Sequence, residues 1–235
     1  MSGTLVLGHD ARGQLVRVAA GELQGLAVWG DAGDYLSKLA AQLVRQGWGV
    51  TYVGPTSRHR LLASVQAADQ QATPASVWLT TAKVEAWLRT RQVVTLEPRN
   101  AEWLGDLLAY HQQAARKLMT GGEYRQHALV LDCHPDLYLQ TPLLGLLQSG
   151  CLLPLVSLRG AGLCGQPPPD GVLGLVFRSS GSTELAQQVL HGERSAEDVA
   201  RLRWGWGYLA APGAVVQAVN GSAALHHSCI ILPTT

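Results

Sequence analysis

The residues Gly30-Asp31-Ala32-Gly33-Asp34-Tyr35-Leu36-Ser37 stand where a phosphate-binding loop would stand. Laid on the pattern G-x-x-x-x-G-K-[ST], Gly30 takes the first glycine and Ser37 the hydroxyl position. Tyr35 takes the second glycine and Leu36 the lysine. In a working loop the glycine lets backbone N–H groups wrap the phosphates, and the lysine reaches the terminal ones. Tyr35 and Leu36 do neither. Asp31 and Asp34 add carboxylates where a nucleotide would bring its own negative charge. The pattern therefore predicts the outline of a phosphate site with side chains that oppose phosphate.

A second element follows at suitable chain distance. Val130-Leu131-Asp132 is an apolar run ending in a carboxylate. Beside such a loop, an aspartate there holds Mg²⁺ through water, and a following glutamate activates the attacking water. The next residue here is Cys133, which cannot act as that base when buried and protonated. Taken alone, an aspartate at a strand end is more often a loop cap. The two elements together point to a decayed NTPase site. Lys38 is the nearest substitute for the lost lysine, but each residue along a helix turns a side chain by about 100°. It is expected to point away from the phosphates. Ser37 reads as a relic of the magnesium ligand or as a plain helix residue.

Other candidates weigh less. Arg58, Arg60, Arg159 and Arg178 have the chemistry of arginine fingers, but solvated or surface-paired roles are commoner. His226-His227 lacks a partner cysteine or carboxylate at ligand spacing. Trp204 and Trp206 alternate on a strand-like segment, suiting core packing, a module interface or a peptide contact. The four cysteines, Cys133, Cys151, Cys164 and Cys229, have no C-x-x-C spacing and read as reduced, buried thiols.

The elements that would position these residues alternate between short apolar runs and helical periods, which indicates α/β with a mainly parallel sheet. Residues 5–7 and 15–18 flank a turn and read as an N-terminal hairpin. Strands are expected at 26–29, 49–53, 76–79, 127–132, 152–156 and 172–177. Helices are expected at 34–46, with Asp34 as N-cap and Gly47 as stop, and at 100–119, 183–190 and 195–202. Residues 207–209 and 214–219 read as a terminal hairpin around Pro212-Gly213. Residues 66–75 read as a mobile loop and 165–171 as a surface loop. With 235 residues, 47% of them hydrophobic, and a net charge of +1, the chain can bury a large core. It lacks the basic excess of a dedicated nucleic-acid binder. No apolar run is long enough to cross a bilayer, and Met1-Ser2-Gly3 does not open a signal peptide.

In order and spacing these pieces resemble FtsK/SpoIIIE-type (HerA-like) ATPases over nearly the whole chain. Leu7-Gly8-His9-Asp10-Ala11-Arg12-Gly13 is similar to the hairpin before their loop, and Leu26 to Gly33 to their strand and loop. Leu155-Val156-Ser157-Leu158-Arg159 falls on their "xxTQR" strand end, so Leu158 takes the place of the glutamine that senses the γ-phosphate. Val176-Phe177-Arg178-Ser179-Ser180 and the segment 202–209 match a later strand and turn. Trp29 to Gly33, Thr56 to Leu62 and Ala211 to Gln217 resemble segments of the tandem modules of type VII secretion motors, whose later modules often lack catalytic residues.

The resemblance implies a RecA/FtsK-like three-layer domain over 1–235, with a mostly parallel central sheet flanked by helices and with terminal hairpins. It implies a non-catalytic ATPase-like module acting by docking. Expected partners are other modules of the motor and a secreted protein substrate, with no direct nucleic-acid contact. No cofactor and no metal site are expected. The expected location is cytoplasmic, at the inner face of the membrane within a larger machine. A free-standing pseudo-ATPase that regulates a hexameric conjugation or DNA-translocation motor is the alternative; a weak NTPase using Lys38 ranks third. The positions carrying these expectations are Gly30, Asp31, Gly33, Asp34, Tyr35, Leu36, Ser37, Asp132, Cys133, Leu158 and Arg159. Tyr35, Leu36, Trp204 and Trp206 are the expected partner contacts.

Overall fold

The computed structural model describes residues 3–30, 32–57, 62, 79–123, 126–133, 152–158, 172–178, 190, 192–210 and 217–221. Asp31, Arg159, the expected loops at 66–75 and 165–171, the turn at 212–213 and most of the expected 76–79 strand and 183–190 helix lie outside them. So do Arg58, Arg60, His226-His227 and the cysteines other than Cys133.

The chain opens with the antiparallel hairpin β1 (Thr4–His9) and β2 (Leu15–Ala19). Its turn is closed by Asp10, whose carboxylate accepts from Arg12 N at 2.9 Å and Gln14 N at 2.8 Å. Then come β3 (Gly25–Trp29), α1 (Tyr35–Arg45) and β4 (Gly49–Val53). Next are α2 (Thr81–Thr90), β5 (Val93–Leu96), α3 (Ala101–Thr120), β6 (His127–Leu131), β7 (Leu153–Leu158) and β8 (Val172–Phe177). The short α4 (Ala196–Ala200) precedes the hairpin β9 (Trp206–Ala210) and β10 (Gln217–Asn220).

All ten strands join one sheet in the order β2-β1-β10-β9-β8-β3-β7-β6-β4-β5. From β8 to β5 the neighbours are parallel; from β2 to β8 they are antiparallel. The N-terminal and C-terminal hairpins meet where His9 faces Asn220. The parallel strands read as continuous apolar runs because both faces are covered. Alternate residues sort onto two cores. Leu26, Val28, Val130 and Leu155 pack with α1 on one face, while Ala27, Trp29, Leu131 and Val156 pack with α2 and α3 on the other. The three-layer α/β architecture expected from the sequence is the one observed.

The sequence reading missed α2 and β5. α2 interrupts its apolar residues with Lys83, Glu85 and Arg89, and its signal is local: Thr80 caps it by accepting from Lys83 N at 3.3 Å. The four residues of β5 are too few to display a period. The strand expected at 152–156 runs instead from Leu153 to Leu158, with Pro154 at its second position.

Residues of α1 also bind β1 through its backbone. Gln42 is 5% exposed, and its carboxamide accepts from Val6 N at 2.8 Å and donates to Val6 O at 3.0 Å. It satisfies a peptide group as a neighbouring strand would. Gln46 Nε2 adds a bond to Thr4 O at 2.7 Å. Gln42→Met keeps the volume but strips both partners from Val6. Such unsatisfied groups cost about 1–3 kcal/mol each. The expected loss is about 2–4 kcal/mol in urea unfolding with an unchanged m-value; a loss under half a kilocalorie would show that the hairpin docks without these bonds.

Candidate functional site

β3 delivers the loop at a point where the chain makes a close approach. Gly30 has φ +79°, and a Cβ there would lie 2.4 Å from Phe177 O at the end of β8. No larger residue fits without moving β8. The first glycine of the pattern is thus required by backbone packing in this structure.

Tyr35, at the second-glycine position, is 2% exposed. Its hydroxyl donates to Leu7 O in β1 at 2.8 Å, and its ring meets Phe177 edge-on at 5.0 Å between centroids. Gly221, just after β10, leaves room for this pair: a Cβ there would stand 2.8 Å from both rings. Burial pushes the phenol well above its ordinary pKa, so it stays a donor. Leu36 is also 2% exposed and packs in the α1 core. The expectation that both side chains present a partner surface is corrected here. The first turn of α1 points them between helix and sheet, because an apolar residue at either position gains more from burial than from solvent.

Ser37 is 1% exposed, and its hydroxyl donates to Asp34 O at 2.7 Å within the same turn. Asp34 stands at the N-cap position but makes no side-chain cap bond; its carboxylate pairs with Lys38 Nζ at 2.9 Å. This corrects the expectation for Lys38. Its long stem folds back along the first turn, and the side chain is 10% exposed beside the loop. The pair is neutral overall, so Asp34 adds little net repulsion toward an anion. Around these residues lies a small pocket of about 50 Å³. Gly33, Asp34, Tyr35, Lys38, Phe177 and Trp204 contribute to its wall. Ligand pockets are typically about 300–1,000 Å³.

Asp132 follows β6 and is 4% exposed; it accepts from Tyr52 OH at 2.7 Å. Cys133 is 3% exposed, with its thiol 3.6 Å from Val53 O. Trp29 is in register with Leu158, and Leu131 with Val156. Carried two residues past the end of β6, that register lines Cys133 up with Leu158 of β7 and Trp29 of β3. All three belong to the core that α2 and α3 cover. The positions expected for the water-activating base and the phosphate sensor thus form a buried row, on the opposite face from Tyr35 and Leu36. Among the described residues no group of His, Cys, Asp and Glu is arranged to hold a metal ion. No described helix is long and apolar enough to cross a membrane.

Trp204 is 69% exposed at the mouth of the pocket, and Trp206 is half-buried at the start of β9. Sequence reasoning missed Phe177, Gly205 and Gly221 as parts of this site. Only the glycines carried a signal, and it was too common to single them out.

Neither protein-family models nor curated proteins match the chain. Solved structures do. The genome-packaging NTPase B204 of Sulfolobus turreted icosahedral virus 2, in complex with ATP-γS, matches with TM-score 0.52 and 11% identity over 84% of this chain and 97% of its own. The pCW3 conjugation coupling protein TcpA matches with TM-score 0.55 and 12% identity over 94% and 66%. The cytoplasmic domain of the Thermomonospora curvata type VII secretion ATPase EccC matches with TM-score 0.54 and 16% identity over 93% and 28%. This chain therefore spans less than a third of that EccC chain. At such identities the likeness is one of fold: the chain has the fold of these ATPase domains.

The Tyr35 contacts yield a graded prediction. Tyr35→Phe deprives Leu7 O of its donor and is expected to cost about 1–3 kcal/mol. Tyr35→Gly, the residue of the intact pattern, empties a packed aromatic site; truncating such a ring to alanine costs about 3–5 kcal/mol, and glycine more. Urea denaturation of both variants measures the difference. Equal stabilities for wild type and Tyr35→Gly would remove the ring from any structural role.

Proposed function

We propose that this chain, read as one domain over 1–235, is an ATPase-like module of a type VII secretion motor. It has no nucleotide chemistry and works by docking. One observation carries the reading: the two positions that should wrap and reach phosphate, Tyr35 and Leu36, are both 2% exposed and committed to the core. Their burial leaves the loop without the open backbone and the cation that phosphoryl transfer uses. The buried row of Trp29, Leu158 and Cys133 supports the same view, since it holds no carboxylate to activate an attacking water and no carboxamide to sense a phosphate. Asp31 and Arg159 belong to the proposed decayed site by sequence position.

Docking is then the remaining use of the carboxyl ends of the strands, where open α/β sheets place their crevice. The exposed Trp204 there is the type of side chain that dominates interfaces when a partner buries it. Trp206 extends the same edge. A structure of EccC ATPases 2 and 3 holds a signal-sequence peptide, at TM-score 0.55 and 12% identity to this chain. It supports a secreted protein, or an adjacent motor module, as the partner class. The module would sit at the cytoplasmic face of the membrane through the larger machine and need no cofactor. The likeness to the conjugation coupling protein TcpA favours a second reading, a free-standing regulator of a DNA-translocation motor. Binding to a conjugation motor in place of a secretion motor would establish it.

Two outcomes are expected. Calorimetry at millimolar Mg-ATP is expected to give no binding heat, and Tyr35→Gly with Leu36→Lys to give no hydrolysis above background, because parts of such sites act together. Micromolar affinity in the wild-type chain would refute the proposal. Separately, Trp204→Ala is expected to weaken binding to the cognate motor module or secreted substrate at least tenfold by interferometry, with an unchanged unfolding midpoint. Unchanged affinity would move the docking surface away from this edge.

A further inference from the structure

A buried polar chain lies on the opposite face of the sheet from α1. It runs from Leu107 and His111 in α3, through Thr51 in β4, to His127 at the start of β6. Its hydrogen positions follow from its geometry. His111 Nδ1 is 2.8 Å from Leu107 O, and a carbonyl only accepts, so that nitrogen carries the proton. The Nε2 of the neutral ring must then accept, and Thr51 Oγ1, 3.0 Å away, gives it its one proton. Thr51 has only acceptor capacity left for His127 Nε2, also at 3.0 Å, so His127 carries its proton on Nε2. The remaining nitrogen, His127 Nδ1, is a bare lone pair, buried without a hydrogen-bond partner. It lies against Gly49, where a Cβ would be 2.3 Å away.

We propose that this chain is an acid latch: α3 is held to β4 and β6 while both rings are neutral, and is released when a proton enters at His127 Nδ1. A proton there has no acceptor and makes a buried cation 6.3 Å from the His111 ring. A proton on His111 Nε2 instead makes that nitrogen a donor, so Thr51 Oγ1 must accept from both rings and its own proton loses its acceptor. Either protonation thus leaves one buried donor without its partner, and both rings are 0% exposed.

The surrounding charges do not offset this. On α2 and α3, Glu85 is paired with Arg89 and Lys117, and Arg89 with Glu123. Arg91, after α2, reaches Gly47 O, and Tyr52 of β4 reaches Asp132 on the other face. Glu102, Asp106 and Arg116 of α3 are exposed, and Tyr110 is half-buried. The two histidines are each other's nearest titratable neighbours in the chain of bonds, with Trp87 tilted over His111 at 6.3 Å.

Burial lowers the His111 pKa to about 4, against the opposing pull of the Leu107 carbonyl. Burial first, and His111 second, lower that of His127 well below its ordinary value. Folded values below unfolded ones mean that the unfolded chain binds more protons. Stability from this chain is therefore complete above about pH 6.5 and declines as pH falls, for His111 until about pH 4.

The test compares urea unfolding of the wild-type chain with Thr51→Val/His111→Leu/His127→Leu, which replaces the whole chain by apolar groups. Between about pH 7.5 and 4.5 the wild-type unfolding constant is expected to rise at least a hundredfold more than that of the variant, the His111 shift alone giving about that factor by linkage and the lowered His127 adding to it. Equal pH dependence would overturn the proposal. Two wild-type measurements decide it if the variant does not fold. Nitrogen-15 NMR at about pH 7.5 is expected to give the Nδ1–H tautomer for His111 and Nε2–H for His127; the reverse assignment would overturn it. Hydrogen exchange, corrected for its intrinsic pH dependence, is expected to lose at least tenfold more protection in α3 than in α1 by about pH 5. Parallel loss in both helices would also overturn it.

Discussion

The loop after β3 is organised by the contact of one phenol with three distant parts of the chain. Tyr35 opens α1, bonds β1 through Leu7 O, meets Phe177 edge-on at the end of β8 and fills the space left by Gly221. The N-terminal hairpin, the last parallel strand and the C-terminal hairpin are fixed relative to the loop through this ring. A glycine there would leave backbone N–H groups open to a ligand. A buried ring closes that space with carbon, and the closure holds only while all three neighbours stay in place.

Several donors of the loop are satisfied by its own chain. Ala32 N donates to Gly30 O, Tyr35 N to Ala32 O and Lys38 N to Asp34 O. The Ser37 hydroxyl also turns to Asp34 O, and Lys38 turns to the Asp34 carboxylate. In a nucleotide-binding loop the phosphates draw these donors and cations outward. Here each has an internal acceptor, so an incoming anion would have to compete with bonds already made. That competition, more than charge repulsion, adds to the burial of Tyr35 and Leu36 as support for a module without nucleotide chemistry. The Asp34–Lys38 pair is neutral, and an argument from added carboxylates alone would have overstated the repulsion.

Much of the fold was legible because parallel strands covered on both faces spell continuous apolar runs. Residues 26–29, 49–53, 127–131 and 172–177 announce themselves that way, and α3 does so through the period of Leu104, Leu107, Leu108 and Leu118. The pairing of Thr51 with two histidines was not legible, because it joins residues 60 and 76 positions apart that have no common local pattern. α2 was missed because its buried side is narrow: Val84, Glu85, Trp87 and Leu88. At the site, residue types showed that the phosphate pattern was altered. They did not show where the replacements went. Helix phase alone suggested that Lys38 points away, whereas a four-carbon stem can fold back over one turn to a carboxylate.

The two faces of the sheet separate the altered positions into independent groups. Tyr35 and Leu36 pack with α1, while Trp29, Leu158 and Cys133 pack under α2 and α3. No side chain of the first group belongs to the core of the second. Reinstating a glycine and a lysine in the loop would therefore leave the far row untouched, and polar residues placed in that row would be buried in an apolar core, which is costly unless they are hydrogen-bonded. Changes on both faces would have to arrive together, each costly to the fold before the other was present. An exposed tryptophan at the mouth of a small pocket carries no such penalty. Under the proposed reading, surface residues at that edge are free to vary with the partner while the packed interior keeps the loop closed.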